Sequence, residues 1–459
     1  MPIRTIPGTD VQYHLICFDE QGVERPETDG TMLSDTVRLR LADAGITDVF
    51  FCSHGWQGDV PAAISQYDKW VGVMASAHDH EAARKIRPDF KAIVIGVHWP
   101  SLPFGNEDMP ANGGVLGSDD DTDIEVAIDH FAASIANTKT ARNAIRVILE
   151  AAQEDDGERE TLPSHVRVAY DQLAYEAALP DGSTNPGGAP GEEQGAWDAD
   201  AIYTQARSAA SADAQVNTEA SEVPGLLGDV WLDNLKGLVV VPLQQMSFWK
   251  MKDRARTIGE GGVHELLVSL QEATASKTQF HLMGHSFGCI VMSAAVAGAS
   301  TGSPLVRPVD TLFLVQGALS LWSYALDIPV AQGKAGYFNR ILSESLVRGP
   351  IVTTQSRFDS AVSNLYPLAA WMRSQLVLGD EYPKYGAVGT YGIQGISEIV
   401  SNTTLEAATY DYGFRRQHVY NLDSSNIIKN KDGWGGAHSD IAHPEVAHAF
   451  WQAVLCAVA

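Results

Sequence analysis

Residues 284–288 read "GHSFG", with a glycine two positions either side of Ser286. The run before it, "TQFHLM", is apolar and strand-like, and the run after it, "CIVMSAAVAG", is helix-like and rich in small residues. A strand that must turn sharply into a helix strains the residue at its tip. It also crowds the neighbours on each side, where any Cβ would collide. Gly284 and Gly288 relieve that crowding and leave the Ser286 hydroxyl above the strand end, at the amino end of the next helix, where negative charge is favoured. The chemistry open to such a serine is nucleophilic attack. A free hydroxyl is a weak nucleophile at neutral pH, so it needs a base in reach and fixed donors for the developing charge.

The elements that would position it recur along the chain. Strand-like runs occur at 11–18, 47–53, 90–99, 278–284, 310–317, 349–355 and 416–422. Several are apolar on both faces, as a parallel sheet covered by helices requires. Helical patterns lie between them. In "GGVHELLVSLQEATA", Val263, Leu266, Leu267 and Leu270 fall on one face just before the strand that leads to Ser286. Alternating strands and helices predict an α/β fold with a mostly parallel central sheet flanked by helices.

One region breaks the alternation. Residues 102–257 carry little strand signal, so the chain divides into 1–101 and 258–459 as two parts of one core, with 102–257 a largely helical insertion. Within it, "PDGSTNPGGAPGEEQG" (180–195) is rich in glycine and proline, and the stretch near 180–225 is expected to be flexible. The segment 231–255 is apolar and aromatic, with Trp231, Phe248 and Trp249. No internal repeat of fixed period is evident.

With its strand and its small-residue helix, the G-x-S-x-G stretch resembles the nucleophile elbow of the α/β-hydrolase superfamily, over about two-thirds of the chain. The resemblance implies a nucleophile at Ser286, followed in chain order by an acid and a histidine, each after a later strand. His438, in the glycine-rich "GWGGAHSDI" after the last strand, is the implied base, with His443 its near competitor and His448 a helix-face residue. Asp359, in the polar turn after "PIVTTQ", is the implied acid. Its rival is Asp327, while Asp310 stands at the wrong edge and Asp440 reads as a local turn or cap residue. A surface ion pair with Arg357 is the alternative use of Asp359. The oxyanion donors implied are the backbone N–H groups of Phe287 and of Trp56, in "SHGWQG", with Gly55 allowing close approach and His54 structural. Trp56, His285, Phe248 and Trp249 would line the substrate, under an insertion that resembles a cap.

The activity implied is a serine esterase or lipase-like hydrolysis of a small-molecule carboxylic ester with an apolar portion, through an acyl-enzyme. The alternatives are thioester, amide or lactone cleavage on the same residues, or a binding protein that keeps the fold without turnover.

Composition narrows the partners. The 459 residues carry 57 acidic against 32 basic side chains, a formal charge of −25, which repels nucleic-acid phosphates and anionic lipid headgroups. The start lacks the apolar core of a signal peptide, and no run approaches the roughly 20 apolar residues of a membrane helix, so a cytoplasmic location without membrane insertion is expected. No G-x-G-x-x-G follows a strand and there is no P-loop or H-E-x-x-H, so neither cofactor nor metal is expected. The acidic run 117–126 lacks the glycine and closing glutamate of a calcium loop and reads as a solvated helix start; "HDH" at 78–80 reads as surface. Cys17, Cys52, Cys289 and Cys456 read as buried free thiols.

Overall fold

A computed structural model describes residues 3–43, 45–56, 59–76, 78–101, 120–155, 159–179, 185–193, 197–216, 238–274, 276–359, 382–430 and 436–458. The chain enters with β1 (Ile3–Thr5), β2 (Gln12–Cys17), α1 (Leu33–Asp43) and β3 (Asp48–Ser53), then α2 (Val60–Ser76), α3 (His78–Ile86) and β4 (Ala92–His98). Helices α4 (Asp120–Ser134), α5 (Lys139–Gln153), α6 (Ser164–Glu176), α7 (Ala199–Val216), α8 (Val241–Ile258) and α9 (His264–Glu272) follow. The remainder is β5 (Gln279–His285), α10 (Gly288–Ala297), β6 (Thr311–Val315), α11 (Asn339–Ser343), β7 (Ile351–Gln355), α12 (Val388–Tyr391), β8 (Val400–Thr404), β9 (Val419–Asp423) and α13 (Pro444–Val458).

The nine strands form one sheet in the order β1-β2-β4-β3-β5-β6-β7-β9-β8. Only β1 runs antiparallel to its neighbour; every other pairing is parallel. All seven strand-like runs of the sequence are strands here. The two additions, β1 and β8, lie at the sheet edges. β8 reads "VSNTT" and is partly exposed along its length, so it carries no apolar pattern; its place comes from pairing with β9, not from burial. The central strands β3 and β5 are buried at every position, because helices cover both faces.

One core spans the sheet face under α1 and α4–α10; the other spans the face under α2, α3 and α13. The insertion helices therefore share an apolar core with the sheet. Ile145, Ile148 and Leu149 of α5 and Phe248 of α8 belong to the same cluster as Phe280 and Leu282 of β5. The long helical stretch after residue 122 is interrupted before α5. There the Thr138 hydroxyl accepts the Ala141 N–H at 3.0 Å and starts a new helix. By contrast, the helical run from α8 to α9 passes through residues 257 and 258. It contains a π-turn at Gly259–Val263, where Gly261 leaves helical geometry (ψ −109°).

Of the stretch 180–225, residues 185–193 and 197–216 are among the described residues. Residues 185–193 are pinned: Ser320 Oγ donates to Pro186 O at 2.7 Å, Tyr337 N to Gly187 O at 2.7 Å, and Asn185 Nδ2 to Ala335 O at 3.1 Å. Glu193 is buried against Lys252 of α8. Glycine and proline here serve close packing. A Cβ on Gly187 would lie 2.8 Å from the Trp322 carbonyl oxygen. Residues 199–216 are helix α7, while 180–184 and 217–237, with Trp231, lie outside the described residues. Among the described residues no helix is long and apolar enough to cross a membrane. All four cysteines are free, Cys52 and Cys289 buried and Cys17 and Cys456 half-buried.

Candidate active site

Strand β5 ends at His285 and α10 begins at Gly288, so the turn between them is two residues long. Ser286 occupies it at φ +57°, a left-handed conformation that costs a non-glycine residue about 1–2 kcal/mol. Its N–H donates to Val315 O of the neighbouring strand at 3.1 Å. A Cβ on Gly284 would stand 2.3 Å from the Gly288 carbonyl oxygen, the clash across the bend that the sequence predicts. Gly288 is required for a different reason. Its Cβ would meet the Ser53 carbonyl oxygen at 2.2 Å, so the constraint comes from the end of β3.

That strand carries the second loop of the site. Gly55 brings its backbone so near that an added Cβ would lie 2.7 Å from Ser286 Cβ and 3.2 Å from its Oγ. Trp56 follows, and its ring stacks on Phe287 at 5.6 Å and 24°. Phe287 caps α10, so its N–H belongs to a first turn without intrahelical acceptors. Among the described residues no carbonyl takes the Trp56 N–H either. Of the two N–H groups expected as oxyanion donors, that of Phe287 adjoins Ser286 in sequence and that of Trp56 adjoins Gly55, whose backbone approaches the serine.

His54 is structural, as its neighbours dictate. Its Nδ1–H donates to Gly55 O at 2.8 Å, which leaves Nε2 to accept from His98 Nδ1 at 3.0 Å and from the Trp99 N–H at 3.3 Å. Burial lowers its pKa to about 4, so it stays neutral. The Tyr67 hydroxyl of α2 accepts the His54 N–H and donates to Val97 O, tying β3 to β4 under the loop.

On the other side, Asp359 and His438 meet. Asp359 follows β7 and is 1 % exposed; its Oδ2 accepts His438 Nδ1–H at 2.8 Å. Two backbone links fix their loops together, an isolated bridge between Asp359 and Gly436 and a 2.9 Å bond from Ala437 N to Phe358 O. The rivals are engaged elsewhere. Asp327 is exposed and caps a turn at the Gly333 N–H, while Asp310 accepts the Phe280 N–H at the start of β5. Asp440 accepts the N–H groups of Lys429 and Asn430 and the His443 ring, the turn role expected of it. His448 joins Asp79 and Tyr410 O.

Three residues emerge from the structure that sequence reasoning missed or placed differently. Gln316 stands just beyond β6 at φ +48°, fully buried, and its Nε2 donates to the same Asp359 Oδ2 at 3.1 Å. Its N–H in turn donates to the Thr354 hydroxyl. His285 is expected against the substrate, yet both its ring nitrogens have protein partners. Gln66 of α2 donates to Nδ1 at 2.9 Å, and Nε2–H donates to the His438 carbonyl at 2.9 Å. Burial, with His438 beside it, lowers the His285 pKa to about 3. The only sequence signal for Gln316 was its place after the strand "DTLFLV", where the competing acid was sought; for Gln66 there was none.

The His438 ring stands 4.9 Å, centre to centre, from the ring of His285, the residue before Ser286. With Nδ1 committed to Asp359, Nε2 is the nitrogen left for a proton from serine. Among the described residues no hydrogen bond joins it to Ser286 Oγ. Phe248 of α8 completes the surroundings, 5.9 Å from Trp56 and 5.1 Å from Phe287 by ring centres. Trp249 packs on Phe248 and flanks the buried Lys252 ammonium at 4.8 Å. Among the described residues no group of His, Cys, Asp and Glu could hold a metal ion. No family model, curated protein or solved structure matches this chain.

Proposed function

We propose that the chain is a serine hydrolase of the α/β-hydrolase type that cleaves a carboxylic ester through an acyl-enzyme. The observation that carries this is the 2.8 Å bond between Asp359 and His438, 79 positions apart in sequence, beside a serine held at φ +57°. The order along the chain adds support: a donor loop after β3, serine after β5, acid after β7 and histidine after β9.

In this reading Ser286 Oγ attacks the ester carbonyl while His438 Nε2 takes its proton. The oxyanion that forms receives the N–H groups of Phe287 and Trp56. Asp359 holds the imidazole with Nδ1 protonated and stabilises its charged form, and the imidazolium then protonates the leaving alcohol. Water activated by the same nitrogen attacks the acyl-serine and releases the acid. Trp56, half-buried and backed by Phe287 and Phe248, offers aromatic surface to an apolar acyl or alcohol portion. Helices of the 102–257 insertion that share the core with Phe248 act as a cap.

Labelling with a fluorophosphonate, followed by peptide mapping, tests the proposal. Adduct on Ser286 in folded protein, absent after Ser286→Ala, is the expected result. A folded protein that takes no label there is not a serine hydrolase.

A further inference from the structure

A cavity opens at the end of the sheet opposite Ser286. It measures about 290 Å³ and lies by the amino ends of β2 and β4. From Phe50, which lines it, to His54 in the donor loop is four strand steps, about 13 Å at the usual rise. None of the residues assigned to catalysis lines it.

The interior is aromatic. Phe50 packs edge-on against Phe90 and Trp451 at 6.5 and 5.7 Å, and His80 stacks on Trp451 at 5.5 Å. The His80 Nδ1–H donates to Ala75 O, and burial with the Arg84 charge lowers its pKa, so its ring is a neutral wall at neutral pH.

The mouth is cationic in a chain of charge −25. Arg40, Arg84 and Lys91 line it against one carboxylate, Asp10. Neither Arg40 nor Arg84 has a carboxylate partner among the described residues. Arg40 is held in place: His14, 2 % exposed, donates Nδ1–H to Val94 O and so presents Nε2 as acceptor to the Arg40 guanidinium at 3.1 Å. A buried imidazole is thereby spent on aiming one exposed cation. Apolar depth, a positioned guanidinium and an unpaired one at the rim together suit one ligand chemistry.

We propose that this cavity binds a small amphipathic carboxylate, its hydrocarbon part among Phe50, Phe90 and Trp451 and its carboxylate at the Arg84 guanidinium on the same face of the sheet, with Arg40 and Lys91 adding positive charge along the lining. At this volume the ligand is an aromatic or medium-chain monocarboxylate and not a long lipid. The proposal is independent of the esterase reading, and its test is run on Ser286→Ala protein to keep it so.

Octanoate is titrated by calorimetry, beside octylammonium and octanol as the same chain with other head groups. Saturable octanoate binding is expected, with octylammonium silent. Arg84→Glu, a change at an exposed position, should weaken octanoate about tenfold. Ala75→Trp, which fills the cavity from α2, should abolish binding at an unchanged melting temperature. No saturable octanoate binding, equal binding of octylammonium, or octanoate affinity unmoved by Arg84→Glu would each overturn the proposal.

Discussion

The two halves of the candidate site are held by different forces. The Ser286 half is held by exclusion: Gly55, Gly284 and Gly288 let three backbone segments approach so closely that a single methyl group at any of them would strike a neighbour within 2.7 Å. The Asp359–His438 half is held by hydrogen bonds, since Asp359 takes His438 and Gln316 on one oxygen while His285 grips the His438 carbonyl. Steric fixation tolerates no substitution but needs no partner. Hydrogen-bonded fixation can be weakened one partner at a time, so the two halves should fail differently.

The largest effect separates chemistry from scaffold. Ser286→Ala should reduce turnover of p-nitrophenyl esters on the order of 10⁶-fold with the melting curve intact. Asp359→Asn should cost about 10⁴-fold, because the amide no longer fixes the imidazole tautomer. Asp327→Asn is the control, and a loss confined to that variant would move the acid to the β6 side. Gly288→Ala tests the steric half. The Ser53 carbonyl must give way, and urea unfolding should record a loss of about 1–3 kcal/mol; a variant as stable as the parent would mean that β3 yields freely.

Gln316→Leu tests the hydrogen-bonded half. It removes one donor to a buried carboxylate, an interaction of about 1.5–3 kcal/mol, so kcat should drop roughly tenfold or more with KM little changed. The smallest expected effect is one of pH. The His285 pKa is lowered to about 3 in the fold against 6.5 in the unfolded chain, so below pH 6.5 the unfolded chain binds the extra proton. Its contribution to stability is whole above pH 6.5 and drains away as pH falls towards 3, about 2 kcal/mol of it by pH 5. In His285→Asn the decline of melting temperature from pH 7 to 5 should be shallower than in the parent; an identical slope would show that His285 is not held neutral.

The same contrast explains what the sequence disclosed. Glycine at 284 and 288 is a visible sign of a steric need, and the apolar runs of β3 and β5 are visible because both faces are buried. The parallel sheet was legible for that reason, while β1 and β8, edge strands with little buried surface, were not. Hydrogen-bond partners leave no such trace. Gln66 and Gln316 are two glutamines whose roles exist only once α2 and the end of β6 are brought to the site. His285 sits inside the motif and still points its nitrogens at Gln66 and His438. Even Gly288 was recognised for a clash within the elbow, whereas the obstacle is β3, more than 230 residues earlier. The contacts of 185–193 leave no trace in its composition either, because glycine and proline permit tight packing as well as loose loops, and nothing local reveals that Glu193 is buried.

That buried carboxylate has a mechanical consequence. Lys252 is fully enclosed beneath Phe248 and Trp249, with Glu193 as its counterion, and burial alone lowers its pKa. Lifting the 185–193 segment away from α8 would part a buried ammonium from this carboxylate, a penalty of several kcal/mol unless water enters or the lysine gives up its proton. A small outward drift therefore gains nothing and forfeits the pair. The pair therefore acts as a clasp between this segment and the aromatic wall beside the serine, one that opposes small outward movements of either side.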